Sequence, residues 1–299
     1  MPFLVEIKKK IGAVQNTRKI TKAMELVAAS RMKQFQRKAI GARGYAWSLL
    51  DALRQNIASV EETIYGERRE HGPVLFVLLT SDKGLCGSLN QQLIRTLWRS
   101  ERWKSLASED RRLITIGRKS FEAATHAGIK PIERFEGLVE QMTSFKALAV
   151  IDVILGYWER GEVREIVFVS PHYVNPFTFY PTIKTYLPFT TQMVHTHLEW
   201  QHLPSEGGAQ RASVEGEVKE EGGGKAPIDF HEPSKERVSA ALATQLMETL
   251  FLQAFYELKA TEYSSRMVAM KKATEAADEM VGSLTLSYNK ARQGAITQQ

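Results

Sequence analysis

The stretch YSSRMVAMKKATEAADEMVGSLTLSYNKARQGA, residues 263–295, decides the fold. Steps of alternately four and three residues pick out Tyr263, Met267, Met270, Thr274, Ala277, Val281, Leu284, Tyr288, Ala291 and Ala295, nearly all apolar or small. A period of 3.5 residues held this long is a coiled-coil seam, not the stripe of an ordinary surface helix. Counted backward, the same rule gives Leu242, Leu246, Thr249, Gln253, Tyr256 and Ala260, more polar but continuous. A single helix is therefore predicted from Ser234 to about Thr297. Ser234 can cap it, and Glu236 lies in the first turn, where the helix dipole favours a negative charge.

A seam needs a partner, and the other end of the chain supplies a candidate. Phe3 to Val60 reads as one long helix in which Ile7, Ile11, Val14, Thr21, Ala28, Met32 and Phe35 fit the same spacing, with Arg18 and Glu25 interrupting. Gly12, Gly41 and Gly44 are its weak points, each costing about 1 kcal/mol relative to Ala, and a bend would fall near Gly41 to Gly44. Such a helix reaches roughly 80 Å, so part of it must project beyond a small domain.

Between them, residues 72–203 alternate strands with helices. PVLFVLLTS is the continuous apolar run of a buried strand. SLNQQLIRTLWRS follows as helix, RRLITIG as strand, RKSFEAATHAG and SFKALAVIDVILGYWERG as helices, and REIVFVSPHYV as strand; TFYPTIKTYLPF alternates like an edge strand. This order predicts a small Rossmann-like α/β domain with a mainly parallel sheet. Residues 204–233, rich in glycine and acids, read as a flexible insertion or loop. The fold class expected is thus α/β with a long antiparallel coiled coil. Its N-terminal helix (1–60) and C-terminal helix (234–299) pair and project from the globular domain.

Composition excludes several classes. With 43% hydrophobic and 25% charged residues in 299, the chain can bury a core. Its longest apolar run, Val74 to Leu79, is far short of the roughly 20 residues of a membrane span. The start, MPFLVEIKKKIG, lacks the apolar core of a signal peptide. Cys86 is the only cysteine, so no intrachain disulfide forms. Charge is concentrated: residues 1–44 carry eleven basic side chains and two acids, a net +9, leaving −3 for the rest. So basic a segment implies an acidic partner. A nucleic-acid binder would interleave aromatics with its basic residues. A membrane-surface helix would carry Trp or Leu on its apolar face. Ala, Met and Val fit an acidic protein surface better.

The remaining motifs offer little chemistry. TSDKGLCGSLN, Thr80 to Asn90, joins a strand to a helix, where phosphate-cradling loops occur. It matches neither glycine-rich nucleotide fingerprint and reads as a tight crossover, with Cys86 packed inside. His195 and His197 would share a face if they lay on a strand, with His202 nearby, but no Cys or carboxylate cluster accompanies them and no metal site is expected. No catalytic residue and no cofactor is assigned.

Three segments carry a resemblance. NTRKITKAMELVAASRMKQ (16–34), TSDKGLCGSLN (80–90) and SSRMVAMKKATEAADEMVGSLTLSYNKARQGAIT (264–297) resemble the signature segments of the gamma subunit of F-type ATP synthases, in the same order. The resemblance implies a non-catalytic rotor shaft, the central stalk of an ion-driven rotary motor. It would stand inside a ring of three alpha and three beta subunits, with epsilon and the membrane c-ring at its foot. Catalysis would lie in beta. The location implied is the cytoplasmic face of a bacterial plasma membrane, reached only through the complex. By position, Arg18, Lys19, Lys22 and Met24 correspond to the collar facing the acidic lever loops of beta. Arg266, Arg292, Gln293 and Thr297 correspond to residues meeting alpha and beta loops further up. Phe230, His231 and Glu232 fall where relatives touch the c-ring. Ile11, Val14, Met267, Met270, Val281 and Leu284 form the internal seam. Relatives usually run on beyond AIT, which implies a shorter upper end here. Photosynthetic relatives carry a cysteine pair near the insertion; this sequence has none, so no thiol switch is expected.

Overall fold

A computed structural model of the chain describes residues 2–55, 57–137, 144–201 and 234–297. Helix α1 spans Pro2–Gln55 and α2 Ile57–Glu61. The α/β part follows as β1 (Val74–Leu79), α3 (Leu89–Arg99), α4 (Glu101–Lys104), β2 (Arg111–Ile116), α5 (Arg118–His126), β3 (Glu133–Phe135), α6 (Ser144–Glu159), β4 (Glu165–Asn175), β5 (Thr178–Leu187) and α7 (Thr191–Gln201). Helix α8, Lys235–Thr297, closes the chain. At its start Ser234 Oγ accepts a hydrogen bond from the Arg237 N–H at 3.3 Å, as a capping serine does.

The five strands form one sheet in the order β3-β2-β1-β4-β5. β1, β2, β3 and β4 run parallel, and β5 pairs antiparallel to β4 as the edge strand. β1 is buried along its whole length because helices cover both its faces. β2 passes into α5 at Gly117, whose φ is +94°; a Cβ there would stand 2.2 Å from the Thr80 carbonyl oxygen, so only glycine fits.

The two long helices lie antiparallel, and their lower halves join the sheet's own core. Ala46, Leu50 and Leu53 of α1 and Ala243 to Leu258 of α8 pack with the residues of β1 and β4 in one continuous cluster. Helix α1 runs unbroken through Gly12, Gly41 and Gly44. Buried Ala39 and Ala46 flank the latter two, and packing there outweighs the propensity cost of glycine.

Two elements differ from the sequence reading. β3 is too short to leave an apolar signature. His195 and His197 sit on helix α7, not on a strand. Two residues apart on a helix they point about 200° from one another, with His195 exposed and His197 buried. Among the described residues no group of His, Cys, Asp and Glu could hold a metal ion, and no helix is long and apolar enough to cross a membrane. The glycine-rich segment 204–233, with Phe230, His231 and Glu232, and His202 lie outside the described residues.

Candidate functional site

Above the sheet the helix pair stands alone, and its inner and outer faces separate cleanly. On α8, Met270, Thr274 and Ala277 are buried and Val281, Leu284, Tyr288, Ala291 and Ala295 half-buried, while the residues on the far side are exposed. On α1, Ile7, Thr21, Ala28 and Met32 are buried and Ile11 and Val14 half-buried. Met267 is half-buried where the pair meets the globular part.

One polar contact fixes the register. Thr21 Oγ1 and Thr274 Oγ1 lie 2.8 Å apart inside the pair. Counted outward from that antiparallel contact, Val14 is level with Val281, Ile11 with Leu284 and Ile7 with Tyr288. One turn away, Arg18 crosses the seam to pair with Asp278, and lower down Phe35 stacks on Tyr263 with ring centroids 5.7 Å apart. Each threonine hydroxyl also lies within reach of a carbonyl of its own helix, Arg18 for Thr21 and Met270 for Thr274, so with one proton each, one hydroxyl donates across the pair while the other donates to its own carbonyl. Thr274→Val should therefore cost about 1–2 kcal/mol, and T21V/T274V together less than the sum of the singles. A double-mutant cycle by chemical denaturation reads this directly; strict additivity would mean the hydroxyls do not couple.

The collar residues occupy different situations. Arg18 spends its charge on Asp278. Lys22 Nζ pairs with Glu25 at 3.0 Å. Lys19 is exposed and makes no ion pair among the described residues, and Met24 is half-buried. Beside them stand three large apolar side chains that charge reading alone passed over: Ile20, Leu26 and Val27, 60%, 60% and 61% exposed. All three stand away from the buried positions 21 and 28, whereas Met24, three residues from one and four from the other, flanks the seam and is half-buried there. The outer face is thus apolar and basic together, on a helix whose inner face is already occupied.

Arg292 and Gln293 are exposed near the top of α8; Thr297 is its last residue. Arg266 is different. It donates to Glu262 at 2.7 Å and to the Gly84 carbonyl at 3.3 Å, and its guanidinium lies over the Tyr263 ring. It is thus held at the foot of the shaft against the Thr80–Asn90 loop, not presented with Arg292 and Gln293 to a surface further up. That loop is tied to its neighbours: Asp82 Oδ1 accepts from the N–H groups of Arg118 and Gly137, while Oδ2 is buried without a hydrogen-bond partner among the described residues. The Asn90 amide group bonds the Ser81 N–H and the Cys86 sulfur. Burial pushes the Cys86 thiol up, away from its reactive form.

Sequence reading also missed a group of buried charges on α8. Lys259 and Glu262 pair at 2.9 Å and are almost fully enclosed, as is Glu257. Their signal was the apolar run LFLQAFYELKATEY, too hydrophobic all round for charges facing solvent.

The comparisons with known proteins agree in one direction. The family model described as ATP synthase matches residues 4–299. The chain is 34% identical to the ATP synthase gamma chain of Symbiobacterium thermophilum, over 98% of its own length and 93% of that protein's. It is 31% identical to that of Polaromonas naphthalenivorans, over 98% and 94%. In fold it resembles the rotor of the Euglena gracilis mitochondrial ATP synthase (TM-score 0.61, 17% identity, 99% of each chain). A chain of the Tetrahymena thermophila mitochondrial central stalk and c-ring is similar as well (TM-score 0.60, 20% identity, 85% of this chain and 99% of that one).

Proposed function

The chain belongs to the ATP synthase gamma-chain family, and on that premise we propose that its helix pair turns inside a ring of alpha and beta subunits, driving the beta sites through their nucleotide affinities. It is the central-stalk rotor subunit of the enzyme, a non-catalytic component of a membrane-associated complex. The observation that carries the finer reading is the division of the shaft: a buried internal seam, and an outer face left basic and apolar at Lys19, Ile20, Leu26 and Val27.

A rotor must be held without being locked. Exposed ion pairs are worth only about 0–1 kcal/mol each, so basic residues sliding past acidic lever loops of beta guide the shaft without pinning it. The exposed apolar residues add contact area without direction. Stiffness comes from the seam. Arg292, Gln293 and Thr297 meet alpha and beta loops nearer the top, and Phe230, His231 and Glu232 meet the c-ring. Epsilon binds the α/β foot, catalysis resides in beta, and the complex sits on the cytoplasmic face of a bacterial plasma membrane. A nucleic-acid role gains no support: at this level two of the collar cations are paired within the chain.

Expression of the tagged full chain with alpha and beta tests assembly: three alpha and three beta should co-purify per chain. Removing Lys19, Lys22 and Met24 together, each to Ala, should leave assembly intact and lower rotary torque several-fold, since each lost contact is small but all three act in every step. Unchanged torque would remove the collar from the mechanism.

A further inference from the structure

At the foot of the shaft both long helices grip a single residue of the sheet. β1 pairs with β4 only as far as Val169, so beyond it that edge of β4 has no strand beside it. There the peptide groups of Tyr173 turn to the helices. Arg43 of α1 donates from Nη2 to the Tyr173 carbonyl at 2.8 Å, and Glu257 of α8 accepts from the Tyr173 N–H at 3.0 Å. Arg43 and Glu257 also bond each other at 3.0 Å, closing the triangle. Gln253 donates to the same carboxylate at 2.9 Å, and the His172 ring lies 3.1 Å from its other oxygen. Glu257 is 3% exposed.

We propose that Arg43 and Glu257 are the torsional lock of the rotor: positioning residues that fix the angle between the shaft and the α/β foot, so that both turn as one body. The inference rests on the rotor reading. Three features support it. The contacts are directional and charge-assisted, which holds an angle better than apolar packing does. They converge from both shaft helices on main chain, which cannot swing away as a side chain can. A buried ion pair also loses most of its attraction to desolvation, so stability alone gives no reason to bury one here, whereas orientation does. The seam just above, at Ala39, has only a methyl group to offer against twist.

The experiment uses the assembled complex with the alpha–beta ring held on a surface and a bead attached at the exposed tip of the β4–β5 turn, at Phe177. The width of the bead's angular distribution during a pause measures the compliance of the joint. Glu257→Gln removes the charge at constant volume; Arg43→Lys keeps the charge but replaces the planar Nη2 group, which bonds both Glu257 and Tyr173, with a shorter, freely rotating ammonium. Both should broaden the distribution about two-fold, by weakening the directional contacts. Leu93→Ala, a cavity in the core of the same domain, should lower the melting temperature of the complex without broadening it. Equal widths in all three variants and the unmodified complex would overturn the lock, as would broadening by Leu93→Ala alone. A bead that does not turn with the unmodified chain would overturn the rotor reading, and the lock with it. Rotation of normal step size with an unchanged width would overturn the lock alone.

Discussion

Met270→Asp should abolish incorporation of the chain into the complex, while Lys19→Ala and Lys22→Ala assemble at normal yield. Met270 is 5% exposed, on the seam one turn from the Thr21–Thr274 contact. No basic residue occupies the neighbouring seam positions to neutralise a carboxylate there, and on the facing helix at that level the Lys22 ammonium is already taken by the half-buried Glu25. An uncompensated buried charge costs on the order of 3–5 kcal/mol. That is a large share of the roughly 5–15 kcal/mol by which a typical domain is stable. The same substitution at Val281, only half-buried, should cost distinctly less because water reaches the side chain. Lys19 and Lys22 are exposed, and their loss should change stability by less than about 0.5 kcal/mol. Assembly yield and urea midpoints of the four variants check the ranking. Equal yields would mean that the seam does not hold the shaft together.

Acid should destabilise the chain in two stages, and the first belongs to the histidines. His197 is 2% exposed on α7, with Nε2 2.8 Å from the Thr185 carbonyl and its ring edge-on to Tyr186. Burial, helped by the positive charge of Lys184, holds its pKa down to about 3 from 6.5. His172 is shifted the same way, chiefly by burial. The unfolded chain takes up these protons near pH 6.5 and the folded chain does not. The folded state is therefore fully competitive above pH 6.5 and loses ground as pH falls below it. At about 1.36 kcal/mol per unit, His197 alone removes about 2 kcal/mol by about pH 5. The second stage is Glu257. Burial would raise its carboxyl, but His172, Arg43 and Lys184 together hold it below the usual range. Its contribution is present above pH 4.5 and is lost as pH falls further. His197→Gln, which can still donate to Thr185 and does not titrate, should flatten the first stage in thermal unfolding of the full chain. An unchanged slope between pH 6.5 and 5 would rule out His197 as its source.

The seam was legible because a heptad is a property of the chain taken in order. Which residues lie four and three apart needs no knowledge of the partner, and two such patterns at the two ends leave an antiparallel pair as the simplest closure. Four strands of the central sheet were legible for the same reason, as apolar runs or, in β5, by alternation; β3, three residues long, was not. Lys19 and its neighbours stood out by charge. What escaped were features set by approach. α7 reads ambiguously because its histidines face two different environments. Ile20, Leu26 and Val27 look like core residues until the helix is seen to carry its core on the other side. Arg266 looks like its exposed neighbours further up α8 until the Thr80–Asn90 loop closes over it.

The sequence by itself determined that two long helices pair and stand on an α/β domain, since periodicity along the chain selects which face is buried. Only the tertiary structure decided where the shaft is fastened. Glu257 and Arg43 lie more than two hundred positions apart. Whether each is a solvated charge or half of a buried clamp depends on β4 running past β1 and leaving a bare edge between them. The energy of a charge is set by what surrounds it, and in a sequence those surroundings are not yet assembled.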